Sequence, residues 1–205
     1  MPVHAEDPAT PLELLLSEIR ACTLCSGHLP LGPRPVLRAA PQARLLIVGQ
    51  APGTKVHASG VPWNDASGER LRQWMDVDRD TFYDAARIAI VPMGFCYPGR
   101  GKGGDLPPRP ECAPQWHLRV RTQMPRIGLT LLIGQYAQAY YLPGPKQALE
   151  DTVRDWRRHL ANGFFPLPHP SPRNTLWLRR RPWFEAEVLP QLRAVLQSCL
   201  SAGVD

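Results

Sequence analysis

Two short loops in the sequence carry polar residues in a setting that could support catalysis. The first covers residues 49–53, with the sequence GQAPG, and the second covers residues 169–171, with the sequence HPS. Each follows an apolar run, and an apolar run that ends in a Gly/Pro turn is typical of a buried strand entering a loop. Open α/β sheets place their ligand sites at such loops. We therefore expect the two loops to face each other across one pocket.

Five cysteines form the next group with chemical potential. Cys22 and Cys25 lie in a Cys-x-x-Cys pattern, and Cys96 and Cys112 stand at the two ends of a Gly/Pro-rich loop. Four thiolates from two loops could hold a structural zinc or an iron–sulfur cluster. The alternatives are a redox pair at the first motif and buried small side chains at the second. Cys199 lies among leucines near the C-terminus, and we interpret it as a core residue.

The elements that must position these groups follow from the spacing of apolar residues. Helical spacing predicts a helix that carries Leu12 to Ile19, and apolar runs predict strands over 44–48, 88–93 and 129–133 and near 164–165. Further helices are predicted after Ser67 and over 114–124, 136–142, 151–159 and 182–201. Residues 1–10 have no pattern and are expected to be loose. Strands that alternate with helices favour a parallel sheet covered on both faces.

Composition limits the classes of protein to consider. A chain of 205 residues is expected to fold as one domain, residues 1–205. Its net charge of +6 indicates an anionic partner and favours nucleic acid over a membrane surface or a phosphorylated metabolite. No apolar run approaches the ~20 residues of a membrane span, and acidic residues stand where a signal peptide would be basic. We therefore expect a cytoplasmic monomer with reduced cysteines and no contact with a membrane.

Taken together, four features resemble the uracil-DNA glycosylase superfamily, and specifically its iron–sulfur branches, families four and five. They are the GQAPG loop, a Gly-x-Pro-Trp segment at 60–63, the HPS loop and the two cysteine pairs. Their order along nearly the whole chain makes the resemblance specific. It implies a three-layer α/β/α sandwich with a central four-stranded parallel sheet. It also implies a [4Fe–4S] cluster in place of zinc, on Cys22, Cys25, Cys96 and Cys112.

The implied reaction is hydrolysis of the N-glycosidic bond of uracil in DNA, which leaves an abasic site in base-excision repair. Such an enzyme extrudes the base and holds its face, and Trp63 takes the position of the family's stacking Phe. His169 is placed like the family's histidine, which donates to the uracil O2, while backbone N–H groups around Gln50 and Ala51 would hold the other edge. Asp65 matches the catalytic aspartate of family five after a one-residue gap. The competing roles are core packing for Trp63, a structural role for His169 and a helix cap for Asp65.

Three positions depart from the family's pattern. Pro92 stands where an asparagine usually reads the uracil edge, so we consider Asn64 as its substitute and expect hypoxanthine or xanthine to be admitted as well. Gln50 replaces the usual glutamate of family four, which removes a charge that could act on water. His57 lies where a covalently DNA-trapping branch has a reactive histidine within a longer basic insert. Because that insert is missing, we expect no trapping and place His57 at the pocket lining.

A basic and partly apolar stretch follows the HPS loop over residues 173–181. Its arginines would neutralise phosphates, and Leu176 or Trp177 would act as a wedge in the duplex. The competing interpretation is a solvated, basic start of a helix. On the first interpretation, the DNA-binding residues are Arg173, Asn174, Leu176 and Arg179.

Two other functions fit parts of the sequence. One is a nucleic-acid-binding iron–sulfur protein of the same fold that has lost catalysis, which the proline at position 92 and the double interpretation of Asp65 motivate. The other is a phosphate-ester or nucleotide hydrolase that uses the Gly-rich loop. The second is weaker, because the loop lacks the Lys-Ser/Thr ending that a phosphate-binding loop needs.

Overall fold

The computed structural model describes residues 9–145 and 147–201. Its strands are β1 (Leu45–Val48), β2 (Ile88–Ile90), β3 (Arg100–Gly101), β4 (Gly104–Asp105), β5 (Leu129–Ile133) and β6 (Phe164–Leu167). Four of them form a parallel sheet in the order β2-β1-β5-β6, and β3 and β4 form a separate antiparallel hairpin.

Helices connect these strands. The α-helices are α1 (Pro11–Arg20), α2 (Thr54–Ser59), α3 (Ala66–Met75), α4 (Arg79–Tyr83), α5 (Cys112–Thr122), α6 (Gln135–Tyr141), α7 (Leu149–Arg154), α8 (Trp156–Leu160), α9 (Thr175–Arg179) and α10 (Leu189–Ser201). Short 3-10 turns lie at Ser26–His28 and Pro172–Asn174, and a π-helical turn at Phe184–Val188 precedes α10. Within the described residues, no helix has the length and apolar character needed to cross a bilayer.

The sheet has a hydrophobic core on each face. Successive side chains of a strand point to opposite faces, so Leu45 and Ile47 join one core with α3 and α10, whereas Leu46 and Val48 join the other with α1 and α5. All four side chains are buried, as expected for a parallel sheet covered on both sides. This arrangement confirms the three-layer α/β/α sandwich around a four-stranded parallel sheet. The extent of the domain over residues 1–205 and the monomeric state stay predictions.

The order of the strands fixes where a ligand can bind. The chain leaves β1 for β2 on one side and later returns to β5 on the other side, and Leu45 pairs with Ile88 and Leu129 in the two directions. Such a reversal of direction opens a crevice beyond the carboxyl ends of the central strands. The GQAPG loop leaves β1 at this edge, and the HPS loop leaves β6 at the same edge. The topology therefore brings both loops to one end of the sheet.

Several element boundaries differ from the prediction. The second strand ends at Ile90 and not near 93, because Pro92 has no N–H group to continue the ladder. Residues 54–59, predicted as a loop, form α2 between Gly53 and a left-handed Gly60. The fifth helix begins at Cys112, two residues earlier than predicted.

The predicted helix 151–159 is two helices that meet at Asp155. The break places Trp156 in the core, where its ring stacks on Phe165 at 5.2 Å. The last helix begins with the π-helical turn and not with a regular α-helix from 182. At the N-terminus, residues 1–8 of the predicted loose segment lie outside the described residues. Thr10 does not fit that prediction, because it forms a reciprocal capping box with Glu13 at the start of α1.

Candidate functional site

A cleft of about 630 Å³ lies at the carboxyl edge of the sheet. The GQAPG loop lines one wall and the HPS loop with the following 3-10 turn lines another, so the two loops do face each other across one pocket. Clefts of this size are typical of sites for small ligands. The predicted residues that line it are Gln50, Ala51, Trp63, Asp65, Pro92, His169, Arg173 and Asn174.

Two aromatic rings face each other inside the cleft. The indole of Trp63 and the imidazole of His169 have centroids 5.5 Å apart and planes inclined by 35°. The indole also packs against the core beneath it, so both predicted roles of Trp63 are compatible with its position. Gly49 leaves the room for this, because a Cβ at that position would lie 2.7 Å from Cζ2 of the indole.

The hydrogen bonds of His169 define its tautomer. The backbone N–H of Ser171 donates to Nδ1 at 3.2 Å, so Nδ1 is unprotonated and the ring proton of the neutral imidazole is on Nε2. Burial lowers the pKa of His169, and the nearby Asp65 carboxylate opposes this shift in part. The amide of Asn174 donates to the backbone oxygen of His169 at 2.8 Å and holds the loop in place. His169 is therefore a neutral donor whose orientation is fixed from behind.

Asp65 is the N-cap of α3. Its carboxylate accepts a hydrogen bond from the N–H of Gly68 at 2.9 Å, which confirms the helix-cap interpretation. The same residue lines the cleft and acts electrostatically on His169. Capping occupies one carboxylate oxygen in this contact, so the position is compatible with a second role at the cleft.

Three of the predicted pocket residues have side chains committed elsewhere. The amide of Gln50 donates to the backbone oxygen of Leu106 at 3.0 Å, although the residue lines the cleft. Asn64 accepts from Arg79 at 3.3 Å and is not among the residues that line the cleft, so the structure does not support it as the base-reading substitute. His57 is not among the lining residues either.

The formation of α2 explains the position of His57. The helix directs its ring towards Tyr97, at a centroid distance of 6.1 Å, and not into the cleft. Its Nδ1 is buried and has no hydrogen-bond partner among the described residues. Val56, its neighbour in the helix, lines the cleft instead.

Pro92 lines the cleft and is held from behind by a buried histidine. Nε2 of His117 lies 3.0 Å from the Pro92 oxygen, and Nδ1 lies 2.7 Å from the hydroxyl of Tyr141. A carbonyl oxygen can only accept, so Nε2 carries the proton and Nδ1 accepts from the tyrosine. His117 is 2% exposed, and burial lowers its pKa to about 4. The wall of the cleft at Pro92 thus depends on a neutral imidazole.

Acid should destabilise the protein through His117. In the unfolded state the imidazole has a pKa of about 6.5, so it binds a proton at a higher pH than in the folded state. Between the two pKa values, protonation therefore stabilises the unfolded state relative to the folded state. The contribution of His117 to the free energy of unfolding should fall by about 3 kcal/mol between pH 7 and pH 4. Urea unfolding of the wild type and of His117→Gln at both pH values measures it. We expect a flatter pH dependence in the variant, and equal slopes would contradict the assignment.

The stretch after the HPS loop divides into pocket and surface residues. Arg173 lines the cleft and donates to the Gly103 oxygen at 3.1 Å. Leu176 is 58% exposed on α9 and could act as a wedge. Trp177 packs in part against the core beneath the guanidinium of Arg181, so Leu176 is the more exposed of the two residues predicted as a wedge. Arg179 is exposed on the same helix, away from the lining of the cleft.

The structure adds residues to the cleft that sequence reasoning did not single out. Among them are Ser67 at the start of α3, Gln135 at the start of α6 just beyond β5, and residues 103–105 of the β3–β4 hairpin. The rule that ligands bind at the carboxyl ends of parallel strands could have indicated Gln135. The hairpin carried no comparable signal, because two-residue strands within a Gly/Pro-rich loop have no readable period.

The four paired cysteines line one small apolar pocket. Cys22 and Cys25 follow α1, Cys96 follows the β2 loop and Cys112 begins α5. None of the four forms a disulfide, and the N–H of Phe95 donates to the sulfur of Cys112 at 3.4 Å. Burial raises the pKa of Cys112 to about 12. Cys199 lies apart from them, half-buried against the core as predicted.

The arrangement of the thiols is informative about what they could hold. Within residues 9–145 and 147–201, no group of three or more His, Cys, Asp or Glu side chains is arranged to hold a metal ion. Burial is the largest cause of the raised pKa of Cys96 and of Cys112; a backbone hydrogen bond opposes it, and the neighbouring cysteines add to it more weakly. All four cysteines nevertheless line one common pocket.

A second cleft, of about 550 Å³, lies between α6 and the helices α7 and α8. It contains none of the site residues predicted from the sequence. The first cleft combines both sequence motifs with a fixed imidazole donor, and we take it as the candidate active site.

The fold and the cleft define a doubly wound α/β protein with a candidate site at the carboxyl edge of its sheet. The chain belongs to the uracil DNA glycosylase superfamily, whose family model matches residues 38–193. The match includes β1, both loops of the cleft and the start of α10. Membership confirms the resemblance at the level of the superfamily and gives the chain a DNA glycosylase-type fold, with DNA as the substrate that the family implies. Cys22 and Cys25 precede the matched region.

Proposed function

We propose that the protein is a DNA glycosylase that hydrolyses the N-glycosidic bond of uracil, and of related deaminated bases, in base-excision repair. The observation that carries this proposal is the neutral His169, which is fixed as an Nε2–H donor opposite Trp63 in a cleft at the switch point of the sheet. A flat ring that binds in the cleft beside these two groups would meet a stacking surface and a hydrogen-bond donor.

His169 would act on the departing base. Cleavage leaves negative charge on the base, and a preorganised donor near its oxygen lowers the barrier. The donor is neutral because burial lowers the pKa of His169, so it stabilises the charge by hydrogen bonding without having to bind a proton first. The hydrogen bond from the Ser171 N–H keeps Nδ1 unprotonated, so the ring proton stays on Nε2. Backbone groups of Gln50 and Ala51 line the cleft where the other edge of the base would lie.

Asp65 would act on the sugar side. The sugar becomes positively charged in the transition state, and a carboxylate can stabilise that charge or orient the attacking water. Asp65 lines the cleft on the side of Trp63, and α3 holds it in place through the Gly68 N–H. Asp65 also opposes the lowering of the pKa of His169 by burial, and both residues line the same cleft, which supports a shared role.

The wall at Pro92 supports a wider range of bases than uracil. The proline has no side-chain donor or acceptor, and its backbone oxygen already accepts from His117. Hypoxanthine and xanthine share with uracil a carbonyl that His169 could recognise. We therefore include these deaminated purines among the proposed substrates.

DNA would be held by the surface around the cleft. The chain carries a net charge of +6, and Arg173 is exposed at the cleft. Asn174 holds the loop that presents it, and Leu176 and Arg179 lie exposed on the next helix. Cations would neutralise phosphates, and the exposed leucine could fill the space left by an extruded base.

The four thiols support a [4Fe–4S] cluster as the cofactor. A zinc ion needs four sulfurs about 2.3 Å from a single point, whereas a cubane cluster fills the space between ligands that are further apart. Four thiols that line one small apolar pocket fit a cluster of this kind. Its residues would be Cys22, Cys25, Cys96 and Cys112, and when bound it would tie the loop 96–112 to the end of α1.

Removal of one proposed ligand should remove the iron. Protein purified without oxygen should be brown and contain about four irons per chain, and Cys96→Ser should lose both colour and iron. Cys199→Ser is the matched control and should keep them, because Cys199 lies apart from the pocket. Iron analysis and visible absorption measure the outcome. A colourless protein with one zinc would overturn the cluster.

An excision assay tests the proposed function. End-labelled oligonucleotides that contain uracil, hypoxanthine or xanthine, as single strands and duplexes, are incubated with the protein and then treated with alkali to cleave abasic sites. We expect scission at the modified position and none in a control oligonucleotide with cytosine there. Binding without scission on every substrate would overturn the proposal and support the catalytically silent binding protein.

A further inference from the structure

Trp63 has a backbone conformation that residues with side chains rarely adopt. Its φ is +56°, in the left-handed region. Among the described residues, Asp76 is the other non-glycine residue with a positive φ, and it ends α3 as an ordinary left-handed cap. Strained conformations at functional sites persist only where the surrounding structure holds them. The neighbours of Trp63 therefore show what keeps its ring in the cleft.

Hydrogen bonds from α3 and α4 hold the backbone oxygens of this segment. The hydroxyl of Tyr83 donates to the Pro62 oxygen at 2.9 Å, and the guanidinium of Arg72 donates to the Trp63 oxygen at 3.4 Å. Both oxygens precede the turn into α3. The two donors thus fix the direction of the peptide units on each side of the Trp63 Cα.

Arg72 is an unusual residue to find in this position. It is 8% exposed, and its guanidinium lies over the rings of Phe82 and Tyr83 at 5.3 and 5.9 Å. Nη2 of Arg72 lies 3.0 Å from Oε2 of Glu69, and the side chain of Glu69 is largely exposed. A buried cation is costly unless its donors are used. The contact with the Trp63 oxygen is one of the bonds that make its burial tolerable.

Gly68 supplies the space that the Trp63 conformation needs. A Cβ at position 68 would lie 1.7 Å from the Trp63 oxygen and 2.8 Å from its Cβ, so no side chain fits there while Trp63 keeps its place. Gly68 lies inside α3, where alanine would otherwise favour the helix. The glycine is therefore explained by its approach to Trp63 and not by the helix.

We propose that Arg72 and Gly68 are positioning residues that hold Trp63 in its left-handed conformation and so set the place of its ring opposite His169. The consequence for catalysis rests on the proposed function, in which that ring stacks on the extruded base. Small displacements of a positioning group can cost about 100-fold in rate.

The test separates the position of the ring from the activity. The indole N–H resonance of Trp63 in a ¹⁵N spectrum of the DNA-free protein is assigned by its loss in Trp63→Phe. Gly68→Ala and Arg72→Gln should shift this resonance and leave the other indole resonances in place, and each should lower the single-turnover excision rate about 100-fold. Arg72→Lys keeps a charged donor, so its Trp63 chemical shift and its excision rate should both lie closer to those of the wild type. Gly128→Ala is the matched control, because its Cβ would meet open space.

Each outcome decides the inference. An unmoved Trp63 resonance in both Gly68→Ala and Arg72→Gln would overturn it, and so would a shifted resonance with the wild-type excision rate. If the indole N–H resonances of Gly68→Ala lost their chemical-shift dispersion, that variant would be misfolded. The comparison of Arg72→Gln with Arg72→Lys would then be the test of the proposal. A wild type that excises no base would overturn the proposed function, while the resonance would still decide the positioning of Trp63.

Discussion

Replacement of His169 by alanine should lower the rate of uracil excision by roughly 10²–10³-fold, the usual effect of removing one preorganised donor to a developing anion. The side chain supplies the Nε2–H that faces the cleft, and the Ser171 N–H fixes that tautomer from the opposite side. Single-turnover excision at saturating enzyme measures the chemical step. DNA binding, followed by fluorescence anisotropy, should change little, because His169 lines the cleft and is not one of the exposed cations.

The control for this variant is His159→Ala. His159 borders the second cleft, so its loss should leave excision unchanged. Equal rates for His169→Ala and the wild type would remove the imidazole from the mechanism. A parallel loss of DNA binding would instead indicate that the HPS loop had collapsed.

The state of the imidazole also predicts the pH dependence of excision. Burial lowers the pKa of His169, so the ring is already neutral above the ordinary histidine value of about 6.5. A neutral donor predicts a rate that does not decline between pH 6.5 and 8. An imidazolium donor would be lost over that range, and a tenfold decline per pH unit would contradict the neutral form. The comparison of wild type and His169→Ala isolates this residue from other titrating groups.

The sequence predicted the central layer of the fold better than its periphery. Strand β5 matches the predicted range 129–133 residue for residue, because a continuous apolar run between polar turns leaves few other arrangements. Helix α2 was missed because Val56 is its buried residue and gives no period to recognise. The break between α7 and α8 depends on the stacking of Trp156 on Phe165, a contact across 9 positions of sequence that no local pattern records.

In the site, the positions of the loops could be predicted from the sequence, whereas the directions of several side chains could not. Two motifs and the sheet rule were enough to bring Trp63 and His169 to one cleft. The directions of His57 and Asn64 could not be inferred, since one depends on a short helix and the other on a bond to Arg79. The hairpin at 100–105 reaches the cleft through contacts with Gln50 and Arg173 that are remote in sequence.

Asp65 offers the sharpest separation between a structural and a chemical role. Its carboxylate caps α3 through the Gly68 N–H, and asparagine is as good an N-cap as aspartate. Asp65→Asn should therefore keep the stability of the wild type, whereas Asp65→Ala should lose about 1 kcal/mol of the free energy of unfolding. Urea unfolding of the two variants measures the cap by itself.

The same two variants separate the chemistry from the cap. If Asp65 stabilises the cationic sugar or orients water, the amide cannot replace it, and Asp65→Asn should lose roughly 10²–10⁴-fold in single-turnover excision although its helix is intact. Asp65→Ala should lose a similar factor, because the missing charge and not the missing cap sets the rate. Full excision by Asp65→Asn, together with a deficit confined to Asp65→Ala, would reduce Asp65 to a helix cap. The carboxylate would then have to come from elsewhere in the cleft, where Asp105 at the hairpin is the other acidic residue among those that line it.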